Sequence, residues 1–153
     1  MKRIAVVASL VLVSCIGMRA TERHWPALVS DLIVIGTLQP GSSVPGLTVL
    51  VPSANGPERF WGWRMRGTIA IDEVLFGSPP SGRIEVEFGC PFSFCRWWWP
   101  PQFPPSYSTS ESGIWFLRHV EGRWTGPDGY FQVARANITH RADWEDYIRR
   151  YKH

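Results

Sequence analysis

Basic clusters are almost missing from this sequence, and the basic residues that it has are nearly all arginine. The formal net charge is +3 over 153 residues, and it falls to +1 if Lys2 and Arg3 are removed on export. The other basic residues are scattered, and only Arg149 and Arg150 are adjacent. Nucleic-acid-binding domains concentrate lysine and arginine on one face. The sequence therefore predicts no nucleic-acid partner.

Recognisable catalytic motifs are missing too. No serine lies in a G-x-S-x-G elbow, and no glycine-rich phosphate loop follows a strand. Asp72 and Glu73 are neighbouring acids, but neighbours on a strand point to opposite faces, whereas a glycosidase needs two carboxylates facing across a cleft. We therefore predict no catalytic residue, no metal site and no cofactor. The histidines do not have the spacing of a zinc site: His24, His119, His140 and His153.

The N-terminus has the order of charged and apolar residues that is typical of a secretory signal. Lys2 and Arg3 precede an apolar run, Ile4 to Val13, in which nothing is more polar than a serine. A run of about ten residues is too short to span a bilayer. The order of charge and apolar residues therefore predicts export rather than a membrane-spanning helix.

The end of this signal resembles the lipobox of bacterial lipoproteins, in the sequence Leu12-Val13-Ser14-Cys15. The resemblance implies a signal peptide over residues 1–14 and a lipid on Cys15, the first mature residue. The protein would then be anchored to a cell-envelope membrane, on its periplasmic or surface side. Cleavage near Ala20, which would give a secreted protein without a lipid, is the alternative.

Cysteine is scarce: besides Cys15, only Cys90 and Cys95 are present. If Cys15 carries a lipid, the other two form an even pair in an oxidising compartment, and we predict a disulfide between them. A loop this small would stabilise the fold by about 2 kcal/mol if it is unstrained. Zinc binding is the less favoured alternative, because the spacing is not that of a zinc knuckle and no histidine lies nearby.

Strand patterns dominate the middle of the chain. Leu32 to Leu38 is a continuous, β-branched run, which predicts a strand buried on both faces. Phe60 to Ile71 alternates with period two, with Trp61 on the apolar face and Arg64 and Arg66 on the polar face. Its phase slips at Asp72-Glu73, which predicts a β-bulge there. Further strands are predicted near 47–51, 84–88, 113–119 and 130–133, with turns at 39–43 and 126–129.

The C-terminus has the pattern of an amphipathic helix, at about 140–151, with Thr139 as its N-cap. Its apolar side chains repeat at i, i+3, i+4 and i+7 and so form one apolar stripe along the helix. A closing helix after five or six strands, one long and bent, predicts a mostly β fold: a small OB-like Greek-key barrel of five to six strands. We assign 15–30 to the anchor site and lead-in, and 31–153 to the barrel. The stripe comprises Trp144, Tyr147, Ile148 and Tyr151.

Three stretches resemble secreted netrin-like domains, the group that includes the tissue inhibitors of metalloproteinases. Asp31 to Thr37, Ile71 to Gly77 and Gly113 to Arg118 are similar to its D-x-V-V-x-G-x-V, x-V-x-E-V-x-K-G and G-x-x-F-L strands, in the same order. The match covers about a fifth of the chain and implies an OB-like fold. The inhibitors begin with a Cys-x-Cys wedge that binds a protease's zinc, whereas Cys15 is followed by Ile16 and Gly17. We therefore expect the fold of this group, but not its inhibition of proteases.

One long connection, residues 89–112, has no periodicity and is rich in aromatic residues and proline. Long loops without their own secondary structure are usually functional or disordered, and so many large rings argue against disorder. The rings either cap a barrel mouth or form an exposed surface. Three consecutive tryptophans cannot all face inward from an extended chain, because neighbours point to opposite sides. The binding residues we predict are Trp97, Trp98, Trp99, Phe103 and Tyr107.

The function expected from the sequence is that of a non-enzymatic exported lipoprotein. It would be a binding module that presents the aromatic loop to an envelope protein or glycan and contacts the membrane through the lipid on Cys15. An inhibitor of secreted proteases, with the same loop as its wedge, is the first alternative. A hydrolase with an unrecognised site is the second.

Overall fold

The computed structural model describes residues 24–50, 56–91, 110–129 and 134–153. Residues 24–29 are helical and precede the sheet. A 3₁₀ turn, Ile138–His140, leads into the C-terminal helix, Arg141–Tyr151. The strands are β1 Leu32–Leu50, β2 Glu58–Phe76, β3 Arg83–Pro91, β4 Glu111–Val120, β5 Arg123–Thr125 and β6 Arg135–Ala136.

The strands form a sheet that closes on itself. β1 pairs antiparallel with β2 on one side and with β4 on the other. β3 pairs antiparallel with β2 and parallel with β5, and β5 pairs with β4. The hydrogen bonds thus run in a ring in the order β1, β2, β3, β5, β4 and back to β1, while the short β6 lies against β4. The prediction of a mostly β fold with a C-terminal helix is confirmed, and the ring fits a small OB-like barrel.

The prediction of a turn at 39–43 between two strands is wrong, because β1 is one strand of 19 residues. Its pairing with β2 shifts register between Pro40 and Ser43, so the proline and glycine make an irregularity inside the strand. A Cβ on Gly41 would lie 2.7 Å from the carbonyl oxygen of Arg66. The glycine therefore lets β2 stay close, and the strand bends without separating from its partner.

The bulge predicted in β2 is present. Ile35 pairs with Glu73 and Gly36 with Ile71, so Asp72 is the extra residue. A second register shift lies at Leu75. Ile33 pairs with Phe76 and Val34 with Val74, so Leu75 has no register partner in β1. After these shifts, Leu75 and Phe76 pack against an apolar cluster, whereas Val74 is 41% exposed.

Two apolar clusters hold the fold together, one on each face of β1 and β4. Leu32 and Val34 belong to the first cluster, which draws on every long strand and fills the ring. Ile33 belongs to the second, which also contains Trp144 and Ile148 of the C-terminal helix. This confirms that the Leu32 to Leu38 part of β1 is buried on both faces and that the closing helix packs on the sheet. Successive residues of β4 alternate between the two clusters in the same way: Ile114, Trp115, Phe116 and Leu117.

The start of the C-terminal helix differs from the prediction in its cap. Asn137, not Thr139, caps the 3₁₀ turn, and its side chain accepts a hydrogen bond from the backbone N–H of Thr139. Asn137 takes this role because the chain enters the helix through an extra 3₁₀ turn, which moves the first free N–H groups toward the N-terminus.

Lys152, just after the C-terminal helix, joins it to the helical residues before β1. Its Nζ donates to the carbonyl oxygens of Ala27 at 3.0 Å, Leu28 at 3.3 Å and Ser30. It also lies 4.2 Å from the ring centroid of Phe76, a cation–π contact. Burial lowers the pKa of Lys152, and the charge of Asp31 opposes that change.

Candidate functional site

The paired strands β1 and β2 continue past the rest of the ring as a hairpin. The pairing of β1 with β4 ends at Leu38, and that of β2 with β3 ends at Gly62. β1 and β2 remain paired as far as Leu50 and Glu58. We call residues 44–50 and 58–61 the hairpin end.

One face of the hairpin end continues the apolar interior outward. Trp63 packs against the cluster that fills the ring. Trp61, two residues further out on the same face, is 68% exposed. Its partner across the hairpin is Leu47, 38% exposed. Directly opposite residues lie on the same face, so the indole and the leucine form one exposed apolar surface.

The other face of the hairpin end also exposes apolar side chains. Phe60 is 38% exposed and Val44 is 42% exposed. Half of the eight exposed large hydrophobic residues in the described part of the chain therefore lie in this one hairpin. Single exposed hydrophobic residues are ordinary, but a group of them marks an interaction surface.

The hairpin end is tied to the rest of the molecule by an ion pair. Arg59 lies 2.5 Å from the carboxylate of Glu121, which occupies the tight turn between β4 and β5. Glu121 has a φ of 49°, the left-handed conformation that such turns require. Both side chains are about half exposed, so the pair orients the hairpin more than it stabilises the fold.

The predicted aromatic loop begins beside this surface. β3 ends at Pro91, whose register partner is Gly62, next to Trp61. Cys90 pairs with Trp63 through the backbone of β3. The other residues of the predicted lipid site, disulfide and aromatic loop lie outside the described residues. The lipid, the disulfide and the binding role of the loop therefore stay predictions. These residues are as follows: Cys15, Cys95, Trp97, Trp98, Trp99, Phe103 and Tyr107.

The alternation in β2 predicts that Trp61 lies on the core face, but it does not predict the exposure of this indole. The period-two pattern identifies the face of a residue, but it does not say where along the strand the core stops. The signal that could have found it is the position of Trp61 near the Pro- and Gly-containing segment 52–57, whose composition predicts a turn and thus the end of a strand.

A second feature, on the outer face of β2, β3 and β5, is a network around one carboxylate. Arg64 makes two hydrogen bonds to Glu87, at 2.9 and 3.2 Å. Arg66 donates to the same carboxylate at 2.8 Å and Arg123 at 2.9 Å. The side chain of Glu87 is 12% exposed, so the carboxylate is held among three guanidinium groups.

The charges in this network determine the ionisation of Glu87. Burial raises its pKa, but the hydrogen bonds from Arg64 and Arg66 and the charges of Arg64 and Arg123 outweigh that effect. The net result is a pKa below the usual range of a glutamate. The same hydrogen bond to Glu87 raises the pKa of Arg64. Glu87 is therefore ionised at neutral pH and orients its arginines.

Neither a cluster of candidate metal ligands nor a long apolar helix is present among the described residues. No group of three or more His, Cys, Asp or Glu side chains in those ranges is placed to hold a metal ion. No helix there combines the length and the apolar character that crossing a bilayer requires.

Comparisons with known proteins add no relative. No protein-family model matches the chain, and neither the curated proteins nor the solved structures contain a match. The functional argument therefore rests on the surfaces of this chain.

Proposed function

We propose that this protein is a non-enzymatic, exported binding module that contacts a partner protein of the cell envelope through the hairpin end. The observation that carries the proposal is the 68% exposure of Trp61 beside Leu47 on a hairpin that the ring supports. Tryptophan is the residue most enriched at the energetic centres of protein interfaces. The lipid on Cys15 and the loop tryptophans belong to the same proposal, as the anchor and as an extension of the contact surface.

The composition of the hairpin end favours a protein over a glycan. A sugar stacks on an aromatic ring and takes hydrogen bonds from nearby polar groups, whereas Leu47 and Val44 offer only aliphatic surface. Apolar patches with an aromatic centre and a polar rim are typical of protein interfaces. The ion pair of Arg59 with Glu121 supplies such a rim.

Site-specific cross-linking in the native envelope tests this proposal. A photoreactive residue at Trp61 should give a discrete adduct with one protein. The matched control is Val74, which lies on the same strand, is 41% exposed and lies away from the hairpin end. No adduct, or the same adducts from both positions, would contradict the proposal.

The Trp61→Ala variant separates binding from folding. Because the indole is mostly exposed, its loss should leave the thermal midpoint nearly unchanged while the partner is no longer retained. Retention on purified envelope glycan that depends on Trp61 would make the partner a sugar.

The proposed export and lipid anchor are tested by intact-mass spectrometry under non-reducing conditions, with and without thiol alkylation. We expect a chain that begins at Cys15, carries acyl mass and has no thiol available at Cys90 or Cys95. An unacylated chain that begins near residue 21 would make the protein secreted rather than anchored.

A further inference from the structure

A second group of exposed apolar side chains lies where the two helical segments meet. Tyr151, in the last turn of the C-terminal helix, is 62% exposed, and Leu28, in the helical residues before β1, is 54% exposed. The ring of Tyr147 stacks on that of His24, with centroids 4.4 Å apart, and its centroid lies 4.8 Å from that of Tyr151. We call His24, Leu28, Tyr147 and Tyr151 the helix-junction face.

The two helical segments run side by side in the same direction. His24 stacks on Tyr147, whereas the carbonyl oxygen of Leu28, four residues later, accepts a hydrogen bond from Nζ of Lys152. Leu28 lies one turn after His24, and Tyr151 one turn after Tyr147, so each pair shares one face of its helix. Leu28 and Tyr151 therefore project from neighbouring positions on one surface.

We propose that the helix-junction face lies against the surface of a bilayer that contains anionic phospholipid, and that it turns the hairpin end away from the membrane. This inference rests on the lipid anchor at Cys15, which belongs to the proposed function. It is carried by the place of the face on the chain, by its side chains and by the charges around it.

The helix-junction face lies close to the proposed anchor. Nine residue steps separate Cys15 from His24, and an extended chain of that length reaches at most about 32 Å. From there on the chain is held on the domain, because Ala27 is fully buried in the cluster that contains Trp144 and Ile148. A lipid inserted in the bilayer would therefore keep His24 and its neighbours within that reach of the membrane.

The side chains of the face suit the bilayer surface. Tyrosine is enriched at the headgroup level, because its ring is apolar and its hydroxyl is polar. Leucine adds aliphatic area for the boundary with the acyl chains. Two exposed apolar side chains are too few to hold a free protein on a membrane. They suffice for an anchored protein, because the tether makes the contact intramolecular and raises its effective concentration.

The charges around the face favour an anionic surface. The end of the C-terminal helix carries three cations and no acid after Asp146. Arg150 pairs with Asp146 at 2.8 Å, and the charge of Asp31 acts on Lys152. Arg149 is exposed and makes no ion pair within the described residues. The cations thus outnumber the acids nearest them, and basic residues beside a bilayer are attracted to anionic headgroups.

The hairpin end lies at the other end of β1 from this face. β1 begins at Leu32, just after the helical residues, and Val44 lies twelve residues further on, up to about 40 Å along the strand. A domain that rests on the helix-junction face therefore holds Trp61 away from the lipid, on the side where a partner protein of the envelope is reached.

Photo-cross-linking to lipid tests this orientation. The acylated protein is extracted from membranes and reconstituted into vesicles of phosphatidylethanolamine and phosphatidylglycerol, with benzoylphenylalanine at Tyr151, Leu28, Trp61 or Val74. We expect phospholipid adducts, identified by the mass of the labelled peptide, at Tyr151 and Leu28. The yield there should be about fivefold or more above that at Trp61 and at Val74, two exposed positions outside the face.

A pair of charge variants tests the anionic preference. R149Q/R150Q should lower the yield of lipid adducts at Tyr151 about fivefold. The matched control is R59Q/R135Q, which removes the same charge from half-exposed, ion-paired arginines outside the face and should leave the yield unchanged. Vesicles of phosphatidylcholine alone should reproduce the loss.

The outcomes separate this inference from the function proposed for the hairpin end. Equal lipid adducts at all four positions of an acylated protein, equal losses in the two charge variants, or full yield in phosphatidylcholine would overturn this inference alone. Failure of Trp61 to cross-link a protein in the native envelope would contradict only the function of the hairpin end. A chain without acyl mass would remove the anchor and overturn this inference with it.

Discussion

Replacing Glu87 by glutamine should destabilise the fold more than any other exchange of a surface acid for its amide. Glutamine keeps the size of the side chain and removes its charge. It leaves three arginines, Arg64, Arg66 and Arg123, close together without the carboxylate that they share. The loss therefore combines weaker hydrogen bonds with repulsion between like charges.

The magnitude follows from the exposure of each partner. The bonds from Arg66 and Arg123 come from half-exposed side chains, and such pairs contribute at most about 1 kcal/mol. The two bonds from Arg64 are better shielded, because that side chain is 21% exposed. Charge-assisted bonds at such a site contribute about 1.5–3 kcal/mol. We therefore expect Glu87→Gln to cost about 2 kcal/mol at neutral pH.

The lowered pKa of Glu87 also determines how the loss of stability in Glu87→Gln depends on pH. Because the folded-state pKa of Glu87 is lowered, its contribution to the free energy of unfolding is present above the unfolded pKa. It is lost as the pH falls through the folded pKa. The difference between the wild type and Glu87→Gln should thus be full at pH 7 and shrink in the acid range below about pH 4.

Urea denaturation at pH 7 and at low pH measures the effect. A loss of about 2 kcal/mol corresponds to a midpoint lowered by about 1 M urea. The matched control is Glu85→Gln, two residues away on the same face of β3, where the acid is exposed and has no ion pair among the described residues. Equal effects of the two exchanges, or a difference that does not depend on pH, would refute the reasoning.

Two further predictions concern the contacts that hold the chain around the ring. Lys152→Met should lower the free energy of unfolding by about 1–2 kcal/mol, because Nζ no longer donates to the carbonyls at the end of the N-terminal helical residues. Hydrogen exchange should then quicken at 24–30 and not in the strands, and a uniform change would contradict this account. Gly36→Ala should cost about 3 kcal/mol, because a Cβ there would lie under 3.0 Å from the carbonyl oxygen of Ala70. Gly82→Ala, where nothing lies within 4 Å, is the control, and a thermal midpoint lowered equally by both would show that the clash is not the cause.

The elements of this fold could be predicted wherever local pattern decides them. The β-branched run from Leu32, the alternation from Phe60 and the stripe of the C-terminal helix all depend on neighbours in sequence, and each lies where the pattern indicated. The turn at 39–43 was wrong because proline and glycine are as compatible with an irregular strand as with a turn. Only the partner strand distinguishes the two.

The surfaces were harder to predict because they depend on register. The alternation predicts that Arg64 and Arg66 lie on the solvent-exposed face of β2, which is right. Their common contact with Glu87, however, requires the pairing of β2 with β3. Arg123 joins them only because β5, which the sequence did not predict, runs parallel to β3. No periodicity within one segment contains that information.

The indole of Trp115 links the two halves of the ring and has a consequence for how fast the protein folds. Its Nε1 donates to the carbonyl oxygen of Gly36 at 3.0 Å, across 79 residues of chain. The pairing of β1 with β4 therefore forms only after a long segment of chain has been brought together. The chain loses conformational entropy before it gains the buried hydrogen bond. Non-local closure of this kind slows folding, and the edge of β1 that pairs with β4 stays unpaired until it occurs. The export that we propose would carry the chain across a membrane unfolded, and that interval would then be when the edge is most open to pairing with another molecule.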